Sequence, residues 1–308
     1  MRIQDLLRAV RYYVQVSREV YGASSHAFID RCFWRIWRQG AEPALFNQLA
    51  TQVEGGQLSR FGVVLEMMAT PQHRAAVTEW KHYSIVESFH MARCLMVRKV
   101  PGGDILVDVG GAAPASIQGS LLVMGYRHRF DTLTIVDLPP DSRICGQYTQ
   151  ASQESTDAWI PTEMGSIRYT HGSMTDLSRI ESDSVDLVFS GQSIEHVGRR
   201  DGELVLHEVH RVLRPQGILF LDTPNAIVTR IQSPDALIHP EHKVEYRPSE
   251  LVEMIQQTGF AIQQVGGICP MPVAVRTGVF DDMELVHNAH LSDNPDDCYA
   301  FYVQAAKR

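Results

Sequence analysis

The chain has 308 residues, 44% of them hydrophobic, and 28 Lys and Arg against 36 Asp and Glu give a net charge of −8. This suits one large α/β domain with an appendage, or two domains. No run nears the ~18 apolar residues that span a bilayer. The first residues, "MRIQDLLRAVRYYVQ", lack the apolar core and cleavage site of a secretory signal, so a cytoplasmic location is expected, extending to the inner face of the membrane.

The cysteines, Cys32, Cys94, Cys145, Cys269 and Cys298, are odd in number and scattered without a C-x-x-C pair. A disulfide framework and a thiolate zinc site are thereby disfavoured, and buried free thiols are expected. Charge is uneven: residues 1–100 carry 13 Lys/Arg and 8 Asp/Glu, whereas residues 101–308 carry 15 and 28. An acidic body argues against broad nucleic-acid binding.

Residues 1–100 are expected to be helical. In "AFIDRCFWRIWRQG" the apolar Phe28, Ile29, Cys32, Phe33, Ile36 and Trp37 recur at helical spacing, while Arg31, Arg35 and Arg38 take other faces. Such a face packs on its own domain or on a second copy in a homodimer. With its arginines and aromatics it also suits an anionic membrane or a lipid-linked substrate.

From residue 104, β-branched runs alternate with helical stretches, the pattern of a parallel sheet with crossover helices. Strands are expected over 104–109, 133–138, 166–171, 185–190, 217–223, 260–268 and 298–306. The clearest helix is "DGELVLHEVHRVLRP", 201–215, with His207 and His210 on its surface. "ASQESTDAWIPTEMGS" reads as a long loop.

Ligands of an open α/β sheet bind beyond the carboxyl ends of its strands. The first strand ends in "VDVGGAAPAS", an acidic residue followed by a glycine turn, and the second in "IVDLPP", with Asp137 29 residues after Asp108. A carboxylate at that second tip can accept both hydroxyls of a ribose, so an adenosine-containing cofactor is expected. A nicotinamide dehydrogenase would need G-x-G-x-x-G, which "GGAAPA" lacks.

Through the ordered segments "ILVDVGG", "TIVDLPP", "HGSMTDL", "DSVDLVFSGQSIEHV" and "EVHRVLRPQGILFLDTPN", residues 100–308 resemble the class I S-adenosylmethionine-dependent methyltransferases. The resemblance implies a Rossmann-like α/β fold, a mostly parallel seven-stranded sheet in the order 3-2-1-4-5-7-6. It places the catalytic domain at 101–308, after a helical region at 1–100. It assigns Asp108, Gly110, Gly111 and Ala112 to the methionine portion of S-adenosylmethionine and Asp137 with Leu138 to the ribose. Ser173 and Met174 fall to the adenine, and Ser190 and Gly191 to the floor near the sulfonium. Ala112 and Pro114 replace two glycines of the usual D-x-G-x-G-x-G loop, and Ser173 an acidic residue. Alanine keeps the turn usable, and proline suits the first turn of a helix.

The fourth strand runs into Gln192, Ser193, Ile194, Glu195 and His196, and "TPN…HPEHKVEY" follows the fifth. This is similar to the subgroup with an E-x-x-E-H motif, which includes small-RNA 2′-O-, ubiquinone-pathway and glycan methyltransferases. The similarity makes Gln192, Glu195, His196 and His242 candidate ligands of Mg2+ or Mn2+, with His239 as an alternative, and Glu195, His196 and His242 the catalytic set. Gln192 stands where the subgroup has glutamate; an amide oxygen can coordinate but adds no charge. A cation chelating neighbouring hydroxyls would position and acidify a vicinal diol. Without one, His196 or His242 would be the general base.

The expected activity is O-methylation of a sugar hydroxyl in a bacterial polysaccharide or lipid-linked glycan. A quinone, another small metabolite or an RNA 3′ end stays open as acceptor. The altered glycine loop also leaves open a catalytically idle scaffold or partner protein.

Overall fold

The computed structural model describes residues 3–20, 24–37, 43–113, 118–139 and 158–308; Pro114, Cys145 and residues 151–157 of the expected loop lie outside them. The chain forms two compact units, Met1–Ser84 and Ile85–Arg308. The division falls inside one helix.

The first unit holds α1 (Ile3–Glu19), α2 (Ser25–Cys32), a π-helical turn (Phe33–Trp37), α3 (Pro43–Glu54), α4 (Arg60–Ala69) and the start of α5 (Pro71–Val97). Ser24 and Ser59 cap α2 and α4 by accepting hydrogen bonds from the N–H groups of Ala27 and Gly62. Phe28, Ile29, Cys32, Phe33, Ile36 and Trp37 are buried with Leu49, Val63, Val64 and Met67 in this unit's own core. Trp37 Nε1 donates to the Met67 carbonyl at 3.0 Å. Of the uses expected for that apolar face, packing on its own domain is the one these side chains make. No described helix is long and apolar enough to cross a membrane.

The second unit continues with β1 (Ile105–Val109), α6 (Gly119–Val123), β2 (Thr132–Asp137), β3 (Ile160–Pro161), β4 (Ser166–His171), β5 (Val185–Gly191) and α7 (Arg199–Val212). There follow β6 (Leu213–Pro224), α8 (Ala226–Gln232), α9 (Pro248–Gln257), β7 (Phe260–Pro270), α10 (Pro272–Thr277), α11 (Asp282–His287), β8 (Leu291–Ser292) and β9 (Cys298–Lys307). They form one sheet in the order β3-β4-β2-β1-β5-β6-β9-β7-β8. It is parallel from β4 to β6 and antiparallel at β3 and from β9 to β8. The Rossmann-like α/β class and its mostly parallel central sheet are as expected. The strand count is nine among the described residues, not seven, because β3 and β8 extend the two edges. Strands of two residues carry no alternation to read, and β3 falls inside the expected loop.

Alternate residues of each strand serve opposite faces. Leu106, Leu187, Phe189 and Phe220 meet Ala92 and Met96 of α5 and Leu121 of α6. Val107, Val188, Leu219 and Leu221 meet Val205, Leu206 and Val209 of α7. Helices on both faces are why these strands read as continuous apolar runs.

The helix expected over 201–215 stops at Val212. Pro215 offers no N–H and biases Arg214 away from the helical region, and Gln216, with φ +66°, bends the chain within β6. His207 is exposed; His210 is instead half-buried, its ring edge-on to Phe260 at 5.1 Å. Cys32, Cys94, Cys269 and Cys298 are free thiols, and Cys94 is only half-buried. Burial pushes the Cys32, Cys269 and Cys298 thiols up to about 12, leaving them protonated and inert.

Candidate active site

The carboxyl ends of β1, β2, β4, β5 and β6 bring most of the singled-out residues to one edge of the sheet. Asp108, near the end of β1, is fully buried. Its Oδ2 accepts hydrogen bonds from the Leu121 N–H and the Ser120 hydroxyl at the start of α6, each at 3.2 Å, while its Oδ1 has no partner. Gly110 has φ +74°, and a Cβ there would lie 2.4 Å from Ser193 Oγ. A Cβ on Gly111 would lie 2.1 Å from Asp108 Cγ. The two retained glycines are therefore the two that the turn cannot replace. Ala112 is buried and donates its N–H to Asp137 Oδ2 at 2.9 Å, and the Leu138 N–H donates to Asp137 Oδ1 at 2.7 Å. Leu138 itself is exposed.

Burial pushes the Asp108 carboxyl from 3.8 up to about 7, against the opposing pull of the Leu121 N–H and Ser120. The folded state thus holds this proton more tightly than the unfolded chain. The resulting stabilisation is complete below about 3.8 and lost as pH rises through about 7. Asp108→Asn keeps an acceptor for Leu121 and Ser120 without the charge. It is expected to raise the unfolding midpoint of the ligand-free protein at pH 8 by roughly 4 °C, with little change at pH 4. Thermal unfolding at the two pH values checks this, and a midpoint at pH 8 equal to that of the parent would contradict it.

Ser173 shares a 2.7 Å hydrogen bond with Thr175. Met174 Cε approaches the position of a Gly110 Cβ to 3.7 Å, so "HGSMTDL" and the glycine turn adjoin. Ser190 is buried and its hydroxyl has no partner. His171, which pairs in register with Asp137 at the neighbouring strand tips, has a buried Nε2 without a partner. It lies within a segment the sequence reading singled out, but an isolated histidine at a strand end carries no signal of its own.

After β5 the chain makes a short 3-10 turn, Ile194–His196. Glu195 is fully buried: Oε2 accepts from the Thr223 hydroxyl at 2.9 Å and Oε1 has no partner. Burial raises its carboxyl to about 7. The Glu195 carbonyl accepts the Lys243 N–H at 2.8 Å, which brings "HKVEY" onto the "SIEH" turn. One ligand atom from each of Glu195, His196 and His242 then lies within 4.8 Å of the others. Burial, and next the nearby His242, lower the His196 imidazole to about 4.

His242 Nδ1 lies 3.0 Å from Glu245 Oε1. An ionised carboxylate only accepts, so Nδ1 carries the proton and Nε2 the lone pair. Burial opposes ionisation of Glu245, but hydrogen bonds from His242, the Thr229 hydroxyl and the Ile238 N–H together hold its carboxyl below the usual range. Glu245 lies within "HPEHKVEY", where nothing in the order of residues marks it as the partner of His242. The His239 ring centroid is 5.3 Å from that of His242; its Nδ1 accepts the Glu241 N–H, and it is not in the three-residue group.

Gln192 is held by Asp222. Its Nε2 donates to Asp222 Oδ2 at 2.7 Å and its backbone N–H to the Asp222 carbonyl at 2.8 Å. Arg93, from the end of α5, grips the same carboxylate through Nε at 2.8 Å and Nη2 at 3.2 Å. The sequence offered no sign of Arg93, which is one of three arginine or lysine residues in "MARCLMVRK".

Residues 119–221 match a family model described as a methyltransferase domain. A probable S-adenosylmethionine-dependent methyltransferase of Mycolicibacterium smegmatis is 32% identical over 115 residues, which are 37% of this chain and 43% of that relative. The matched stretch is thus under half the length of that curated relative. Among solved structures, a SAM-dependent methyltransferase of Thermotoga maritima is 13% identical with a TM-score of 0.49, covering 75% of this chain and 96% of its own. The small RNA methyltransferase HEN1 is 16% identical with a TM-score of 0.48, covering 70% and 25%. The family match runs from α6 into β6 and so takes in Asp137 and the "SIEH" tip, and over these residues the chain is similar to the S-adenosylmethionine-dependent methyltransferases.

Proposed function

We propose that the protein methylates a hydroxyl oxygen with S-adenosylmethionine, assisted by a divalent cation on Glu195, His196 and His242, and that the acceptor is a vicinal diol of a sugar in a polysaccharide or lipid-linked glycan. The observation that carries this reading is the convergence of those three side chains within 4.8 Å beside the cofactor-side strand tips. The residues fit the cofactor: Asp108 Oδ1 and Ser190 Oγ are buried polar atoms without partners, and the Gly110–Gly111 turn leaves no room for side chains. When bound, S-adenosylmethionine supplies an electrophilic methyl group. Asp108 suits its ammonium, Asp137 its ribose hydroxyls, and Ser190 and Gly191 the floor beneath the methionine.

One carboxylate and two imidazoles form a mixed donor set, better matched to Mn2+ than to the oxygen-preferring Mg2+. A cation held there would acidify a bound hydroxyl. His196, lowered to about 4, stays neutral at physiological pH, which suits a ligand and makes it a weak base. Glu245 orients His242 so that Nε2 carries the lone pair. The acidic balance of residues 101–308, with 28 Asp/Glu against 15 Lys/Arg, supports a small or glycan acceptor over RNA.

The test is mass spectrometry for a +14 Da product on sugars with and without a free vicinal diol, a catechol, a quinol and RNA with a terminal ribose diol, with Mn2+ or a chelator. Product on the diol sugar that disappears with chelator is expected. Undiminished product under chelation would overturn the cation, and product restricted to catechol, quinol or RNA would overturn the sugar.

A further inference from the structure

Gln192 stands at the junction between the cofactor tip of β5 and the Glu195–His196 turn, and its conformation is unusual. Its φ is +56°, in the left-handed region that side-chain-bearing residues rarely occupy. Such a conformation persists when its surroundings over-determine it. Here both hydrogen bonds come from one residue: Asp222 takes the Gln192 backbone N–H on its carbonyl and the Gln192 amide on its carboxylate.

Asp222 is in turn fixed by Arg93. The Asp222 side chain is 0% exposed and that of Arg93 14%, so this pair is removed from solvent and its two-point geometry is the arrangement that makes burial of both charges tolerable. Arg93 also bears on Gly191, the register partner of Asp222: a Cβ there would lie 2.7 Å from Arg93 Nη2. The guanidinium thus rests on the backbone of Gly191, and glycine is required for it to do so.

We propose that Arg93 is a positioning residue that acts through Asp222 on Gln192. The three side chains form a clamp that sets the path of Ser190, Gly191 and Gln192 for the cofactor and keeps the Gln192 amide engaged on Asp222. The clamp gives a charge reason for an amide at 192. One guanidinium balances one carboxylate, and the remaining place beside Asp222 Oδ2 needs a donor. A glutamate there would put a second carboxylate against the first, with no second cation paired to Asp222 among the described residues to offset it. This inference rests on the cofactor reading of the β5 tip.

The experiment is calorimetric titration of the full chain with S-adenosylhomocysteine. Gln192→Glu is expected to weaken binding at least tenfold at pH 8. Adding Asp222→Asn, which restores one amide and one carboxylate to the pair, should return affinity to within about threefold of the parent. A purely structural role would not produce that recovery, because the second substitution would add its own loss. Arg93→Lys keeps the charge but not the fork and should also weaken binding about tenfold. Parent-like affinity in Gln192→Glu or Arg93→Lys, or no recovery in the double variant, overturns the clamp. If Arg93→Lys fails to fold, the Gln192→Glu pair still decides. Absence of binding by the parent protein overturns the cofactor reading itself and the clamp with it, an outcome distinct from the others.

Discussion

Gly111→Ala is expected to lower the affinity for S-adenosylhomocysteine at least 100-fold, a loss of about 3 kcal/mol or more. The added Cβ would fall 2.1 Å from Asp108 Cγ and 2.3 Å from its Oδ2, and neither can yield cheaply. Asp108 is fully buried and anchored by the Leu121 N–H and Ser120, so the backbone of the turn must move instead. That displacement would carry with it the Ala112 N–H bonded to Asp137, and so misplace the carboxylate proposed for the ribose as well. Calorimetry with a parallel unfolding curve separates lost binding from lost folding. A folded variant with parent-like affinity would show that the turn does not touch the cofactor.

His242→Ala should reduce Mn2+ affinity and methyl transfer each by at least 100-fold, about 3 kcal/mol or more. The change removes one of the three proposed ligands and also strips Glu245, whose side chain is 0% exposed, of its imidazole partner. Glu245→Gln should show the same sign with a smaller loss, about 10–100-fold, because it alters only the orientation and basicity of a ligand that remains. Paramagnetic resonance titration with Mn2+ reads the affinities directly. If both variants bind Mn2+ as the parent does, the ion lies elsewhere. If neither the parent nor the variants bind it while transfer proceeds, the reaction needs no cation and a histidine must serve as base.

Much of the second unit was legible because its periodicities are local. All seven expected strands lie within a few residues of their observed ends, and the central parallel strands are joined through the helices expected between the apolar runs. Asp108, Gly110, Gly111 and Asp137 were readable for the same reason: a strand end followed by glycine is a short-range pattern. The metal-site candidates were readable only in pieces. Glu195 and His196 are consecutive, but His242 joins them through the hydrogen bond from Lys243 to the Glu195 carbonyl, across 48 residues of chain.

What the sequence by itself determined is the class of fold, the strand tips that carry the glycine turn and Asp137, and the residue types available at them, since each depends on spacing within one strand, turn or helix. Only the tertiary structure decided the bonding partners. It joined Arg93 to Asp222, 129 positions apart, and engaged Gln192 with that carboxylate. It also gave Glu245 the task of holding His242 and buried the aromatic face of residues 28–37 in its own unit. The reason is physical. A buried charge must find its counter-charge wherever the packed chain brings one, and an apolar face is consumed by whichever surface reaches it first; neither choice leaves a periodic trace in the order of residues.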